Sequence, residues 1–153
     1  MLVNVKDELN RFAKYVISQS RANLTRGKKN SSKDLYNSLD SEVKVSKNSF
    51  ELSFLMEDYG VFQDKGVSGV KKKYNTPYSY TSKMPPPSKM DKWIVKKGIA
   101  PRDKSGKFIS RKSLQFMIAR SIYNNGIKPS LFFTKPFEKA FKGLSKDLVE
   151  AYK

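Results

Sequence analysis

The chain has 153 residues, with 31 Lys and Arg against 14 Asp and Glu and neither Cys nor His, for a formal net charge of +17. That length supports one domain over 1–153 with a modest core, and 10 Phe, 8 Tyr and one Trp argue against a disordered basic tail. Missing Cys excludes disulfide staples and thiolate metal sites, and missing His removes the commonest general base and metal ligand.

Residues 5–24 place Val5, Leu9, Phe12, Val16 and Ile17 at helical spacing, with Asn4 as a cap and Asp7 and Glu8 in the first turn. An N-terminus that reaches Lys6, Asp7 and Glu8 so soon does not suit a signal peptide. Gly27 stops the helix. The surrounding Arg26-Gly27-Lys28-Lys29 is not a phosphate loop, because Ala22 stands where the first Gly belongs. Ser31 or Ser32 opens a short helical turn through Leu35, Tyr36 and Leu39. Val43 and Val45 then alternate with Glu42 and Lys44, Asn48-Ser49 turns the chain, and Phe50, Leu52 and Phe54 alternate with Glu51 and Ser53. This predicts a β-hairpin over about 41–56 whose apolar side needs the N-terminal helix as its cover.

Glu57 to Asp64 reads as a short helix or a bent strand end, closed by Gly66. Residues 60–128 then hold 16 Lys and Arg against Asp64, Asp91 and Asp103, a net of +13, while the segments on either side carry +2 each. Residues 67–87 lack any period, and a loop that long is expected to be functional or ordered by a partner. Ser88 with Asp91 gives a capping-box-like start for a short helix with Trp93 and Ile94, stopped by Gly98. Trp93 reads as core. Residues 100–109 form a second basic loop or small ribbon, so that about 67–112 is a basic loop region. Ser110 caps a helix over 110–125 with Leu114, Met117, Ile118 and Ile122 inward and Gly126 at its end. Pro129 and Pro136 bracket Leu131-Phe132-Phe133, read as extended, and a helix over about 137–151 follows. Three adjacent apolar residues in extended geometry point to both faces, so they meet either their own core or a neighbouring subunit. No apolar run approaches a membrane span.

The chemistry this composition permits is narrow. Asp58 and Asp64 with Lys65 are the one arrangement from which a metal-dependent nuclease can be imagined. Most other acids stand beside a basic residue on what reads as solvated surface. No catalytic, cofactor-binding or metal-ligating residue is therefore assigned. The basic candidates are Lys71, Lys72 and Lys73, followed by Tyr74, with Lys96, Lys97, Arg102, Lys104, Lys107, Arg111 and Lys112, and they surround Tyr78, Tyr80 and Trp93. Cations with interleaved aromatics suit phosphates and stacked bases, or an acidic protein surface. No sequence-reading motif accompanies them.

One order of short motifs is familiar. Leu35-Tyr36-Asn37-Ser38-Leu39 and the hairpin lead to Tyr59-Gly60-Val61-Phe62-Gln63-Asp64-Lys65-Gly66. A Pro-rich loop, Trp93-Ile94 with Gly98-Ile99, Gly126-Ile127 and Pro129-Ser130-Leu131-Phe132-Phe133 follow. Across about 31–140 this resembles the tail-completion or head–tail joining proteins of tailed bacteriophages, with a longer and more basic 67–112 than in compact members. The resemblance implies an α+β fold: a small antiparallel sheet packed on a long N-terminal helix, with further helices and long basic loops. It also implies no enzyme activity and no cofactor. The expected role is a structural subunit of a six- or twelve-fold homo-oligomeric ring around the DNA channel of the virion neck, made in the host cytoplasm. Portal, adaptor or tail proteins are the implied partners, with non-specific DNA contact and no membrane. Tyr59, Phe62, Leu131, Phe132 and Phe133 are the implied subunit interface. The alternative is a free basic protein that binds nucleic acid without sequence preference.

Overall fold

A computed structural model describes residues 2–30 and 32–153. In chain order the elements are α1 (Leu2–Arg26), α2 (Asp34–Ser38), β1 (Asp40–Ser46), β2 (Ser49–Leu55), α3 (Gly60–Lys65), a 3-10 turn (Pro87–Met90), α4 (Asp91–Lys97), α5 (Arg111–Asn125) and α6 (Thr134–Tyr152). The class is α+β, as the sequence predicts. The backbone gathers into two compact units, one of Met1–Asp64 with Ser130–Lys153 and one of Lys65–Pro129.

The first unit is built on α1. Val5, Leu9, Phe12 and Val16 form its buried stripe, and Leu144 of α6 joins them. Val43, Phe50, Leu52 and Phe54 of the hairpin pack against that stripe, in an antiparallel register that pairs Val43 with Leu52 and Val45 with Phe50. A two-stranded sheet is marginal alone and is stable only with such a cover. Phe12 meets Phe54 and Phe137 edge-on, at 6.2 and 5.7 Å between centroids. A second cluster joins Leu24, Leu35, Leu39 and Phe132, and Arg21 locks α2 onto α1 by donating to the carbonyls of Tyr36 and Leu39.

Several local expectations change. Helix α1 begins before Asn4, so Asn4 does not cap it and no acid lies in its first turn; Glu8 instead pairs with Arg11 at 2.7 Å. Ser31 lies outside the described residues. Leu131-Phe132-Phe133 is not extended: Leu131 has φ of 53° and turns the chain, and Phe133 already flanks α6. Helix α6 starts at Thr134 with Pro136 inside its first turn, where a missing N–H costs nothing.

That start is capped from far away in sequence. The Asp64 carboxylate, almost fully buried, accepts from the N–H groups of Phe133 and Thr134 at 3.0 Å each and from the Thr134 hydroxyl. Ser130 and Leu131 donate to the carbonyls of Gln63 and Asp64, so α3 and the head of α6 form one hydrogen-bonded joint.

A candidate polyanion interface

The second unit holds 16 Lys and Arg against Asp91 and Asp103, a net of +14, leaving +3 for the rest of the chain. All 16 cationic side chains are exposed. The order that places them comes from backbone bonds as much as from a core.

The predicted loose loop after Gly66 is in fact tied down by the unit itself. Val67 and Ile127 exchange backbone bonds at 2.9 and 2.7 Å, and Ser68 donates to the carbonyl of Tyr78 and accepts from Tyr80. Val70, Lys71 and Lys72 donate to the carbonyls of Tyr123 and Asn124 in the last turn of α5. These are orphan acceptors of a helix end, and the loop supplies their donors. Two glycines permit the approach: a Cβ on Gly126 would lie 2.0 Å from the Val67 carbonyl, and one on Gly69 would lie 2.2 Å from that of Asn124. Lys71, Lys72 and Lys73 thus stand exposed at the negative end of the α5 dipole, where cations are favoured.

The other end of α5 follows the second basic loop and adjoins the head of α4. Ser110 caps it by accepting from the Ser113 N–H at 3.2 Å. Asp91, at the head of α4, pairs with Arg111 at 2.8 Å and accepts from Gln115 at 2.7 Å, which fixes α4 against α5. Ser88 makes no capping bond; the 3-10 turn runs straight into α4. Lys96 and Lys97 lie in the last turn of α4, which Gly98 closes in the left-handed region. Residues 100–109 do form a small ribbon, with Arg102 bridged to Phe108 and Ile109 donating to the carbonyl of Pro101. Inside it the Asp103 carboxylate accepts from the Ser105 hydroxyl at 2.6 Å and from the N–H groups of Ser105 and Lys107. The Ser105 hydroxyl, and after it the Lys107 N–H, hold this carboxyl below the usual range. Arg102 lies 3.8 Å above the Phe108 ring, which is 63% exposed.

The ten predicted cations therefore do not converge on one point. Lys71, Lys72 and Lys73 stand at one end of α5, and Arg102, Lys104, Lys107, Arg111 and Lys112 lie in or just before its first turn, with Lys96 and Lys97 at the end of α4. Helix α5 has 15 residues and hence spans about 22 Å at 1.5 Å per residue. Arg111 is partly committed to Asp91. The aromatics divide differently from expectation. Tyr74, Tyr78 and Tyr80 are half-buried in the unit, and the Lys72 ammonium lies 5.6 Å from the centre of the Tyr74 ring. Tyr80 packs against Tyr123, and burial pushes its hydroxyl up. Trp93, expected in the core, is 41% exposed, and Ile94 takes the buried position instead. Met117 likewise faces out, and Ala119 with Leu114 faces in.

The sequence reading missed Arg120, Phe108 and Phe116. Lys112, Phe116 and Arg120 follow one another at i, i+4 and i+8, and all three are exposed, so the helical period that located α5 also carried this stripe.

Among the implied interface residues, Tyr59 and Phe62 on or beside α3 are about 40% exposed, with Val61 between them. Burial, the largest influence, raises the Tyr59 hydroxyl above its ordinary range. Phe132 is 2% exposed and Phe133 packs on both core clusters, so these two serve the chain's own interior. Asp64 is occupied with capping α6, and Asp58 is exposed. Among the described residues no three His, Cys, Asp or Glu side chains gather as a metal site, and no helix is long and apolar enough to cross a membrane. No family model, curated protein or solved structure matches the chain.

Proposed function

We propose that the chain is a structural virion protein, one subunit of an oligomeric ring at the head–tail junction of a tailed bacteriophage, with its basic unit turned toward the DNA channel. The observation that carries this reading is the segregation of charge: a net of +14 sits on one compact unit of 65 residues, with every cation exposed. A channel through which any sequence passes needs phosphate contact without base readout. That matches cations on loops, helix ends and a ribbon. The motif order from Leu35 to Phe133 supplies the phage context. Tyr59, Val61 and Phe62, exposed on a segment anchored through Asp64 to α6, are apolar groups suited to a neighbouring subunit. A head-to-tail contact of this kind closes into a ring when its rotation is right.

Electron microscopy of the concentrated protein, alone and with the portal of the same phage, tests this. Closed rings with a central channel are expected. A monodisperse monomer or dimer that binds DNA by itself and joins no portal supports the free nucleic-acid binder instead.

A further inference from the structure

We infer that α5 is the spine of a duplex-DNA contact, engaged at both ends at once and with Arg120 between them. This deepens the DNA half of the reading above and rests on it.

The two cationic groups are held at a fixed spacing. At the C-terminal end, Lys71 and Lys72 are pinned by N–H bonds of 2.9 and 3.1 Å to Asn124. At the N-terminal end, the ribbon carrying Arg102, Lys104 and Lys107 leads within three residues of Phe108 into the first turn of α5. The exposed face between them carries Lys112, Phe116 and Arg120, each one turn further along. Neither end can slide toward the other without melting the helix. About 22 Å of duplex axis is six or seven base pairs and presents roughly 13 phosphates on two strands. Duplex DNA is straight on that scale, its persistence length being about 150 base pairs, so a rigid ruler meets a rigid rod. A single strand must first be stretched to span the same distance. It gains most from open aromatic faces, and the three tyrosines of the loop are half-buried. Trp93, Phe108 and Phe116 are the exposed rings of the unit, Phe108 being already covered on one face by Arg102.

The test is salt-dependent binding of the full-length protein to a duplex of about 20 base pairs and to a single strand of equal length, read by fluorescence anisotropy. Each lost phosphate contact flattens the slope of log K against log salt by about 0.9 on duplex DNA. Arg120→Gln is expected to flatten it by about one contact. The triple change Lys71→Gln, Lys72→Gln, Lys73→Gln and the triple change Arg102→Gln, Lys104→Gln, Lys107→Gln are each expected to remove two or three. All these side chains are exposed, and a cooperative thermal melt no lower than that of the parent verifies that each variant folds. A slope insensitive to one of the two triple changes would overturn engagement at both ends. Tighter binding to the single strand, lost on Phe108→Ala, would overturn the choice of duplex. No binding to either at low salt, with ring assembly intact, would overturn this inference and leave the structural role standing. No ring and no portal binding, with the predicted duplex slopes, would overturn the structural role instead.

Discussion

Two residues carry more of the architecture than their neighbours. Asp64 takes three hydrogen bonds at the head of α6 from a carboxylate that is itself buried. Asp64→Ala removes a cap, at roughly 1 kcal/mol, and strands buried donors, at a further 1–3. A loss of about 2–4 kcal/mol in urea unfolding is expected, and a loss under about 0.5 would mean the cap is dispensable. Asp64→Asn keeps one acceptor and costs less. Gly126, with φ of 70°, lies where an added Cβ meets the Val67 carbonyl at 2.0 Å, whereas Gly106 at φ of 83° has open space around it. Gly106→Ala therefore incurs only the backbone preference, about 1 kcal/mol. Gly126→Ala adds a backbone clash and is expected to cost several times as much; equal effects would contradict the packing of loop 67–72 on α5. Asp103 provides a pH test. Its folded carboxyl titrates below the ordinary value, so its contribution to the ribbon is present above that value and is lost as pH falls through the folded pKa. The amide signals of Ser105 and Lys107 in a nuclear magnetic resonance titration should shift with a midpoint below the usual Asp value of about 3.9. A midpoint at or above it contradicts the turn.

Among the elements, those with a clear period were legible in the sequence. The stripe Val5, Leu9, Phe12, Val16 marked α1, the alternation Phe50, Leu52, Phe54 marked β2, and the facing of the two is borne out in one core. Leu52→Ala, at a half-buried site, is expected to cost about 2 kcal/mol, near the low end for apolar truncation; an unchanged urea midpoint would place Leu52 on the surface. What failed were segments whose outcome depends on distant partners. Phe132 sits in an apolar triplet without period, and only the left-handed turn at Leu131 decides that it points inward. The start of α6 was misplaced because its cap is Asp64, remote in sequence, and no local residue announces it. Trp93 and Ile94 are adjacent on a helix of seven residues, with room for one of them inside. The smaller side chain takes that place. The basic site was half legible: the cations were all found exposed, but the placing of Lys71, Lys72 and Lys73 at the C-terminal end of α5 follows from backbone bonds to Tyr123 and Asn124 that composition cannot reveal.

For the whole molecule, the charge pattern and the folding pattern share a boundary. The unit with the paired Phe clusters is near neutral in its balance, and the unit with the α5 spine carries nearly all of the excess. A net charge of +14 on 65 residues is self-repulsive and is relieved by a polyanion. Stability is therefore expected to rise with salt or with added duplex DNA, the latter in proportion to RT ln(1 + [L]/Kd). Thermal melting at low salt with and without duplex reads this directly, and identical curves would show that the excess charge has no such partner. The central claim, a place in the virion neck, is tested most directly by quantitative mass spectrometry of purified particles. The chain should be present at six or twelve copies per particle and should remain with the portal when tails are detached. Its absence from particles that package DNA normally, with the protein abundant in the host cytoplasm, would contradict the account.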